Sequence, residues 1–192
     1  MYPTAEVSIV DCSNAYYTDT YYDTETQILR KNGESLKVRN EKDFGGKNSF
    51  KVIMRRKKIH PDKRKLSLRD DVEVSVKNAL LKNVKDVMKP FFPEFNFDEL
   101  TEVPILICNT HRTLFLISIQ TNTTNVKFSL CFDSIKYVNS EKKGDDFIIK
   151  IHSKQCSDFL LKKILKKMKK YYPQYEVIGM SRYERALEVL KS

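Results

Sequence analysis

Alternation of apolar and polar residues predicts β-strands along most of this chain. The segments are rich in β-branched and aromatic residues, and they cover 50–57, 66–76, 104–108, 112–120, 126–132 and 146–151. Turn-forming residues separate several of them, at 43–48, 120–125 and 140–145. Short connections of this kind join antiparallel strands, so the pattern predicts a mostly antiparallel sheet.

Three segments instead have apolar residues at helical spacing, and they cover 78–90, 157–170 and 182–191. Pro90 is a stop signal for the first helix, and lysines surround the apolar stripe of the second. No internal repeat or long linker interrupts the chain. We therefore expect one α+β domain over residues 1–192.

The stretch from Tyr21 to Arg39 is predicted to form a loose hairpin, with strands at 21–29 and 36–39. Asn32-Gly33 supplies the positive backbone dihedrals that hairpin turns require. On the second strand, Leu36 and Val38 would point to one face while Lys37 and Arg39 point to the other. One strand would thus present two cations side by side.

The net charge of the chain indicates which class of partner it favours. The 192 residues contain 35 Lys and Arg against 25 Asp and Glu, a formal net charge of +10. Basic residues concentrate at 47–69 and at 142–170. Such an excess favours an anionic partner, namely a nucleic acid, a polyphosphate, a nucleotide or lipid headgroups. For the lysine-rich helix at 157–170, a solvated outer face is the favoured interpretation.

Several classes of chemistry lack their sequence signals. The chain has no Walker loop, dinucleotide fingerprint, Ser-His-Asp order or zinc-ligand spacing. Its four cysteines include no CxxC pair, which is typical of a reducing compartment. No apolar run is long enough for a membrane span. We expect a cytoplasmic protein with no membrane contact; the oligomeric state stays open.

Cations on separate strands could meet on one face of the sheet. Arg55 or else Arg56 would extend the face of Lys37 and Arg39, and Arg69 and Arg112 would add to it. A flat sheet would expose them as a patch, whereas a closed barrel would collect them inside with an anion or buried acids as partners. Composition alone does not choose between these arrangements.

The order of motifs resembles the CYTH, or triphosphate tunnel metalloenzyme, superfamily, over about residues 16–190. Its members include thiamine triphosphatases, class IV adenylate cyclases, inorganic triphosphatases and, more distantly, polyphosphate polymerase domains. The residues that carry the resemblance are Tyr21-Tyr22-Asp23-Thr24, Leu29, Gly33, Leu36-Lys37-Val38-Arg39, Arg55-Arg56-Lys57, Arg69, Val72-Glu73-Val74, Arg112, Asp133 and the run Ser181 to Leu187.

The resemblance implies a closed or nearly closed antiparallel β-barrel with about three flanking helices. It also implies that basic residues inside the barrel bind a triphosphate while carboxylates hold Mg or Mn. By matching position, the phosphate-binding residues would be Lys37, Arg39, Arg55, Arg69, Arg112 and Arg182. The metal ligands would be Glu73 and Asp133, because divalent metals of this kind prefer carboxylate oxygens.

Two departures from the family pattern shape the predicted function. The opening Glu-x-Glu-x-Lys strand is reduced to Glu6-Val7-Ser8-Ile9-Val10, and the late Glu-x-Glu strand falls near 147–152, where neither acid remains. Fewer carboxylates weaken metal binding and leave the interior more positive. The sequence thus predicts binding of a triphosphate-containing or polyphosphate anion, with metal-dependent hydrolysis reduced or lost.

Two alternatives stay open from the sequence. One is an active triphosphatase in which Glu73 and Asp133 assist a metal ion, so whether the protein is an enzyme is unsettled. The other is a scaffold or nucleic-acid-binding module that uses the outer basic surface, including residues 162–170.

Overall fold

A single antiparallel sheet dominates the computed structural model, which describes residues 6–43, 45–57, 69–120, 125–152, 158–174 and 181–191. The spatial order of the strands is β4-β3-β2-β1-β5-β6-β7. Their bounds are β1 Glu6–Tyr22, β2 Ser35–Lys42, β3 Asn48–Lys57, β4 Arg69–Val76, β5 Leu106–Gln120, β6 Asn125–Val138 and β7 Lys143–His152. The antiparallel α+β prediction is confirmed. Within the described ranges β4 and β7 are edges that do not pair with each other, so closure into a barrel stays a prediction.

Helices account for the remaining regular structure. They are α1 Ile28–Lys31, α2 Leu81–Met88, α3 Asp158–Tyr171 and α4 Arg182–Val189, with a 3₁₀ turn at Phe97–Glu99. The last three α-helices lie where the sequence predicted helices, whereas α1 was not predicted. Among the helices described, none is both long and apolar enough to cross a membrane.

The predicted hairpin at 21–39 is wrong in its first arm. Strand β1 ends at Tyr22, and the buried Asp23 carboxylate then accepts hydrogen bonds from the backbone N–H groups of Thr24, Leu29 and Arg30. These bonds favour the short helix α1 because they satisfy N–H groups that its first turn leaves unpaired. The Asn-Gly pair ends that helix, with Gly33 at φ 71°, so the Asp of the YYDT motif has a structural role here.

Two strands are longer than the sequence pattern predicts. The pattern predicts two separate strands at 104–108 and 112–120 and none at 11–20, yet β1 runs for 17 residues and β5 for 15. The polar residues between the predicted segments pair across the two strands. Thr18 Oγ1 donates to Asn109 Oδ1 at 2.8 Å, and the ring of Tyr16 stacks on His111 at 4.3 Å. Cross-strand pairs of this kind stabilise a sheet despite their polarity.

Two separate apolar clusters bury opposite faces of the sheet. On one face of β2, β3 and β4, buried residues including Leu36, Val52 and Met54 pack with Val84 and Met88 of α2. On the other face, α4 packs over β5, β6 and β7. There the buried residues are Tyr21, Leu106, Cys108, Ile135, Tyr137, Ile148, Tyr183, Ala186 and Leu190. Each helix therefore covers one face of a different half of the sheet, and the packing of α4 fixes the position of the residues at its own start.

Gly144 lets α4 approach β7 closely, and its replacement by alanine is expected to destabilise the protein by about 1 kcal/mol. A Cβ atom at this position would lie 2.8 Å from Cγ1 of Val189 in α4. That methyl belongs to a stiff β-branched side chain, so the helix must shift. Thermal unfolding checks the prediction. Gly45→Ala, in a turn where the nearest atom is 3.3 Å away, should change stability far less.

Candidate anion-binding site

Four of the cations predicted to meet lie on one face of the sheet, here called the basic face. Cross-strand partners share a face, and the register pairs Lys37 with Tyr21, Arg39 with Asp19, Arg55 with Ser35 and Arg112 with Ala15. Alternation along each strand then places all four cations on one side.

Arg56 points to the face of the sheet opposite to that of Arg55. Its guanidinium lies 4.4 Å from the ring centroid of Phe92, and it pairs with Glu34 and Glu94. Phe92 belongs to the cluster beneath α2. Arg55, and not Arg56, therefore belongs to the basic face.

Asp19 of β1 is the first of two buried acids on this face, with 0% of its surface exposed. Lys37 Nζ donates to its Oδ2 at 2.7 Å, and Arg39 donates from Nε at 2.7 Å and from Nη2 at 2.9 Å. Burial alone would raise the pKa of the Asp19 carboxyl. The hydrogen bonds from Arg39 and the charge of Lys37 outweigh it and hold the pKa well below its usual range.

Asp133 of β6 is the second buried acid, and it too has 0% exposure. Arg112 donates to it through Nε at 2.6 Å and Nη2 at 2.8 Å, while Lys150 Nζ lies 3.1 Å from Oδ2. Burial opposes ionisation here as well, but the hydrogen bonds from Arg112 and the charge of Lys150 lower the pKa of Asp133 to about 2. Both acids are therefore ionised at neutral pH.

Arg182 connects the two acids from above the sheet. It is the first residue of α4, whose start is fixed by a capping box between Ser181 and Glu184. Its Nη2 donates to Asp133, and its Nη1 lies 3.5 Å from Asp19 Oδ2. The side chain is 7% exposed, and its Nε is buried with no hydrogen-bond partner among the described residues.

Tyr17 lies at the centre of these arginines. Its hydroxyl accepts a hydrogen bond from Arg182 Nη1 at 3.0 Å. Its ring centroid lies 4.1 Å from the guanidinium carbon of Arg39 and 5.4 Å from those of Arg112 and Arg182. An aromatic face attracts cations, so this ring holds three like charges around it.

The basic cluster is defined here as these five cations and two acids, namely Lys37, Arg39, Arg112, Lys150 and Arg182 with Asp19 and Asp133. Five positive charges against two negative ones leave an excess of three. Each lysine gives only one of its three N–H donors to an acid, and the arginine Nη1 groups of Arg39 and Arg112 are not used by Asp19 or Asp133. The cluster therefore retains both charge and donors for an anion.

The pKa values of both lysines in the cluster are lowered. Burial, together with the guanidiniums of Arg39 and Arg182, lowers the pKa of Lys37 to about 8 even though Asp19 opposes the shift. Burial and the charges of Arg182 and Arg112 lower the pKa of Lys150 to about 8 against the attraction of Asp133. Burial is the largest cause of both shifts, and the neighbouring guanidiniums add to it.

Arg55, another residue proposed from the sequence, lies on the basic face but outside the cluster. Arg55 pairs through two hydrogen bonds with Asp71, at 2.7 Å and 2.5 Å. Arg69 begins β4, but its side chain lies outside the described part of the structure. Sequence reasoning missed Asp19, Lys150 and Tyr17 as site residues. Tyr17, Asp19 and Tyr21 alternate along β1 and so share one face, but this spacing does not indicate that Asp19 is buried or which cations it contacts.

The carboxylates proposed as metal ligands are already taken by cations. Glu73 lies 2.8 Å from Lys51 Nζ, and both oxygens of Asp133 face guanidinium or ammonium groups. Over the described ranges, no three His, Cys, Asp or Glu side chains converge. A divalent cation needs several converging oxygens, and the residues that the structure describes do not fit one.

A large cavity lies elsewhere and contains none of these residues. Its volume is about 730 Å³, and it is bounded by α2 on one side and by residues 93–98 on the other. Its walls carry three lysines and four acids, namely Lys82, Lys85 and Lys89 with Asp86, Glu94, Asp98 and Glu102. The mixed charges there give no net attraction for an anion, so charge and geometry favour the basic cluster as the candidate site.

Comparison with known proteins gives a structural likeness only. Neither a protein-family model nor a curated protein sequence matches the chain. A candidate adenylate cyclase from Bacillus halodurans is 13% identical, with a TM-score of 0.53 over 95% of this chain and 96% of that one. A candidate adenylyl cyclase from Hippeastrum, described as having a dominant triphosphatase activity, is 13% identical, with a TM-score of 0.54 over 92% and 83%.

A third solved structure, a protein from Pyrococcus horikoshii, is 17% identical, with a TM-score of 0.51 over 96% of this chain and 85% of that one. The three alignments span nearly the whole chain, so the likeness concerns the complete arrangement of strands and helices. At such low identities it does not extend to activity. The chain has the same fold as these three proteins.

Proposed function

We propose that this chain is a CYTH-like protein that binds a triphosphate or polyphosphate anion in the basic cluster, with hydrolysis reduced or lost. The observation that carries the proposal is the convergence of five cations around the two buried acids of the described structure, namely Lys37, Arg39, Arg112, Lys150 and Arg182. Cations held in a partly buried site bind a multiply charged anion more strongly than exposed ones do.

The proposal agrees with the fold of the solved neighbours, one of which is described as a triphosphatase. The proposal differs from that neighbour's described activity, because we expect hydrolysis to be reduced or lost in this chain. The carboxylates of this site pair with cations, so phosphate would be held by N–H donors alone. The cations alone could stabilise the charge of a phosphoryl-transfer transition state. Metal-dependent hydrolysis is not expected, because the described site offers no residues that fit a metal ion.

Calorimetric titration with inorganic triphosphate, ATP and long-chain polyphosphate tests the proposal. We expect triphosphate and polyphosphate to bind without magnesium, and added magnesium to weaken binding because it competes for the phosphate oxygens. Binding of none of the three anions would contradict the proposal. An assay of phosphate release separates the enzyme alternative, which requires metal-dependent release that is lost in Glu73→Ala.

The outer basic surface supports a second candidate function. Five lysines of α3 are exposed, namely Lys162, Lys166, Lys167, Lys169 and Lys170. A nucleic acid bound there should dissociate steeply with added salt because counterions are released on binding. That binding should survive Arg39→Ala and be lost on charge reversal of these lysines, which is the reverse of the result expected for triphosphate.

Binding of triphosphate is expected to weaken as the pH rises above about 8, where Lys150 and Lys37 lose their protons. Both pKa values are lowered from the ordinary value, so the charged form that attracts the anion is lost within a range that can be measured. In Lys150→Arg the site keeps this charge at every pH. Calorimetry at pH 7, 8 and 9 should show a shallower loss of affinity in the variant; an equal loss in both proteins would contradict the assignment of Lys150 to the site.

A further inference from the structure

The two buried acids have the same partners that a phosphate group would require. The Asp19 carboxylate takes two N–H donors from one guanidinium and one from a lysine, and Asp133 repeats this arrangement with Arg112 and Lys150. Planar guanidinium groups bind carboxylate and phosphate through the same pair of N–H donors. Each acid therefore occupies donors that could otherwise serve a ligand.

We propose that Asp19 and Asp133 are internal counter-ions that compete with the bound phosphate chain for the cations of the basic cluster. The inference rests on the proposed function, and it assigns these residues a role in setting affinity and selectivity. Neither acid would contact a metal or take part in chemistry. Each reduces the positive charge that an incoming anion meets.

Arg182 shows the competition most clearly. Its side chain is nearly buried and is shared between both acids, yet its Nε donor has no partner among the residues described. A buried N–H without a partner is costly, so an anion that opens access to this nitrogen would gain a hydrogen bond there. The remaining guanidinium nitrogens are held by Asp133, Tyr17 and Thr110.

This arrangement should select for anions of high charge. The excess of three positive charges is spread over two acid-centred groups, which are joined by Arg182. An orthophosphate has fewer oxygens and less charge than a triphosphate, so it competes less well with the carboxylates that are already in place. A triphosphate engages both groups at once, and linking two weak contacts greatly increases the total affinity.

Asp19→Asn and Asp133→Asn test the inference, because the amide keeps the size of the side chain and removes its charge. We expect each variant to bind inorganic triphosphate about tenfold more tightly than the unmodified protein in a calorimetric titration at pH 7. Orthophosphate binding should also become measurable. Asp98→Asn is the matched control, since the Asp98 side chain is 82% exposed and lies 3.6 Å from Lys85 of α2. The affinity of this variant for triphosphate should equal that of the unmodified protein.

Both variants lose a buried partner for cations and are expected to unfold at lower temperature without ligand. Triphosphate should then raise their unfolding temperature by more than it raises that of the unmodified protein, which gives a second measure. Equal or weaker binding in either variant would overturn the inference while leaving the proposed function intact. If the unmodified protein does not bind triphosphate and the variants do, the proposed function fails and the competition by the acids is supported; binding by none of them overturns both.

Discussion

Replacing Arg182 with methionine is expected to lower the free energy of unfolding by about 3 kcal/mol. The arginine side chain is 7% exposed and connects α4 to both buried acids of the basic face. Methionine keeps the apolar length but removes the ion pair with Asp133, the approach to Asp19 and the hydrogen bonds to Tyr17 and Thr110. Denaturant unfolding followed by circular dichroism measures the change.

Arg185→Met is the matched control in the same helix. Its guanidinium pairs with Asp146 on β7 and is 29% exposed, so solvent screens the pair and its loss should cost at most about 1 kcal/mol. Equal losses in the two variants would mean that the ion pairs of α4 are interchangeable. The central position of Arg182 would then have no energetic basis.

Replacing Arg112 with methionine is expected to weaken triphosphate binding about a hundredfold. The guanidinium contributes charge to the cluster, and its Nη1 is not used by Asp133. Its removal also leaves Asp133 with one fewer cation, so the acid competes more strongly for Lys150 and Arg182. Isothermal calorimetry with inorganic triphosphate at pH 7 measures the loss.

Arg56→Met removes the same charge from the opposite face of the sheet, where Arg56 pairs with Glu34 and Glu94. Affinity for triphosphate should not change in this control. If both variants lose affinity equally, the protein binds the anion through its overall positive charge and not through the basic cluster. If neither loses affinity, the anion binds elsewhere.

The fold could be predicted from the sequence where alternation is clean. Strands β3 and β7 and the three longer helices follow directly from apolar spacing, and the opposite orientation of Leu36 and Lys37 in β2 is confirmed by the register. Prediction failed where polar side chains satisfy the backbone or each other. The Asp23 carboxylate accepts backbone hydrogen bonds at the start of α1, where a strand was predicted. In the middle of β5, the polar residues Asn109 and His111 contact side chains of β1.

The site was only partly accessible from the sequence. Strand periodicity places Lys37 and Arg39 on one face, whereas Arg112 was proposed for phosphate binding by resemblance. Asp19 could not be assigned in this way, since it lies in a strand that was not predicted. Lys150 is a single lysine among isoleucines, which is an ordinary pattern for a surface strand. The importance of both residues depends on burial and on contacts across β1, β2, β6 and β7, which no local pattern encodes.

The resemblance and the structure suggest different roles for Asp133. By resemblance it would be a metal ligand, whereas its oxygens here face Arg112, Lys150 and Arg182. A carboxylate surrounded by three cations has little remaining negative charge to offer a divalent ion. For this reason we assign Asp133 to competition with the anion and expect no gain in affinity from magnesium.

A crystal structure of the protein with inorganic triphosphate tests the central claim most directly. We predict that the triphosphate lies on the basic face, with phosphate oxygens within hydrogen-bond distance of Arg112, Lys150 and Nε of Arg182. Triphosphate bound instead at the α3 lysines, or a basic cluster that stays closed by its own two acids with no anion in it, would contradict this claim.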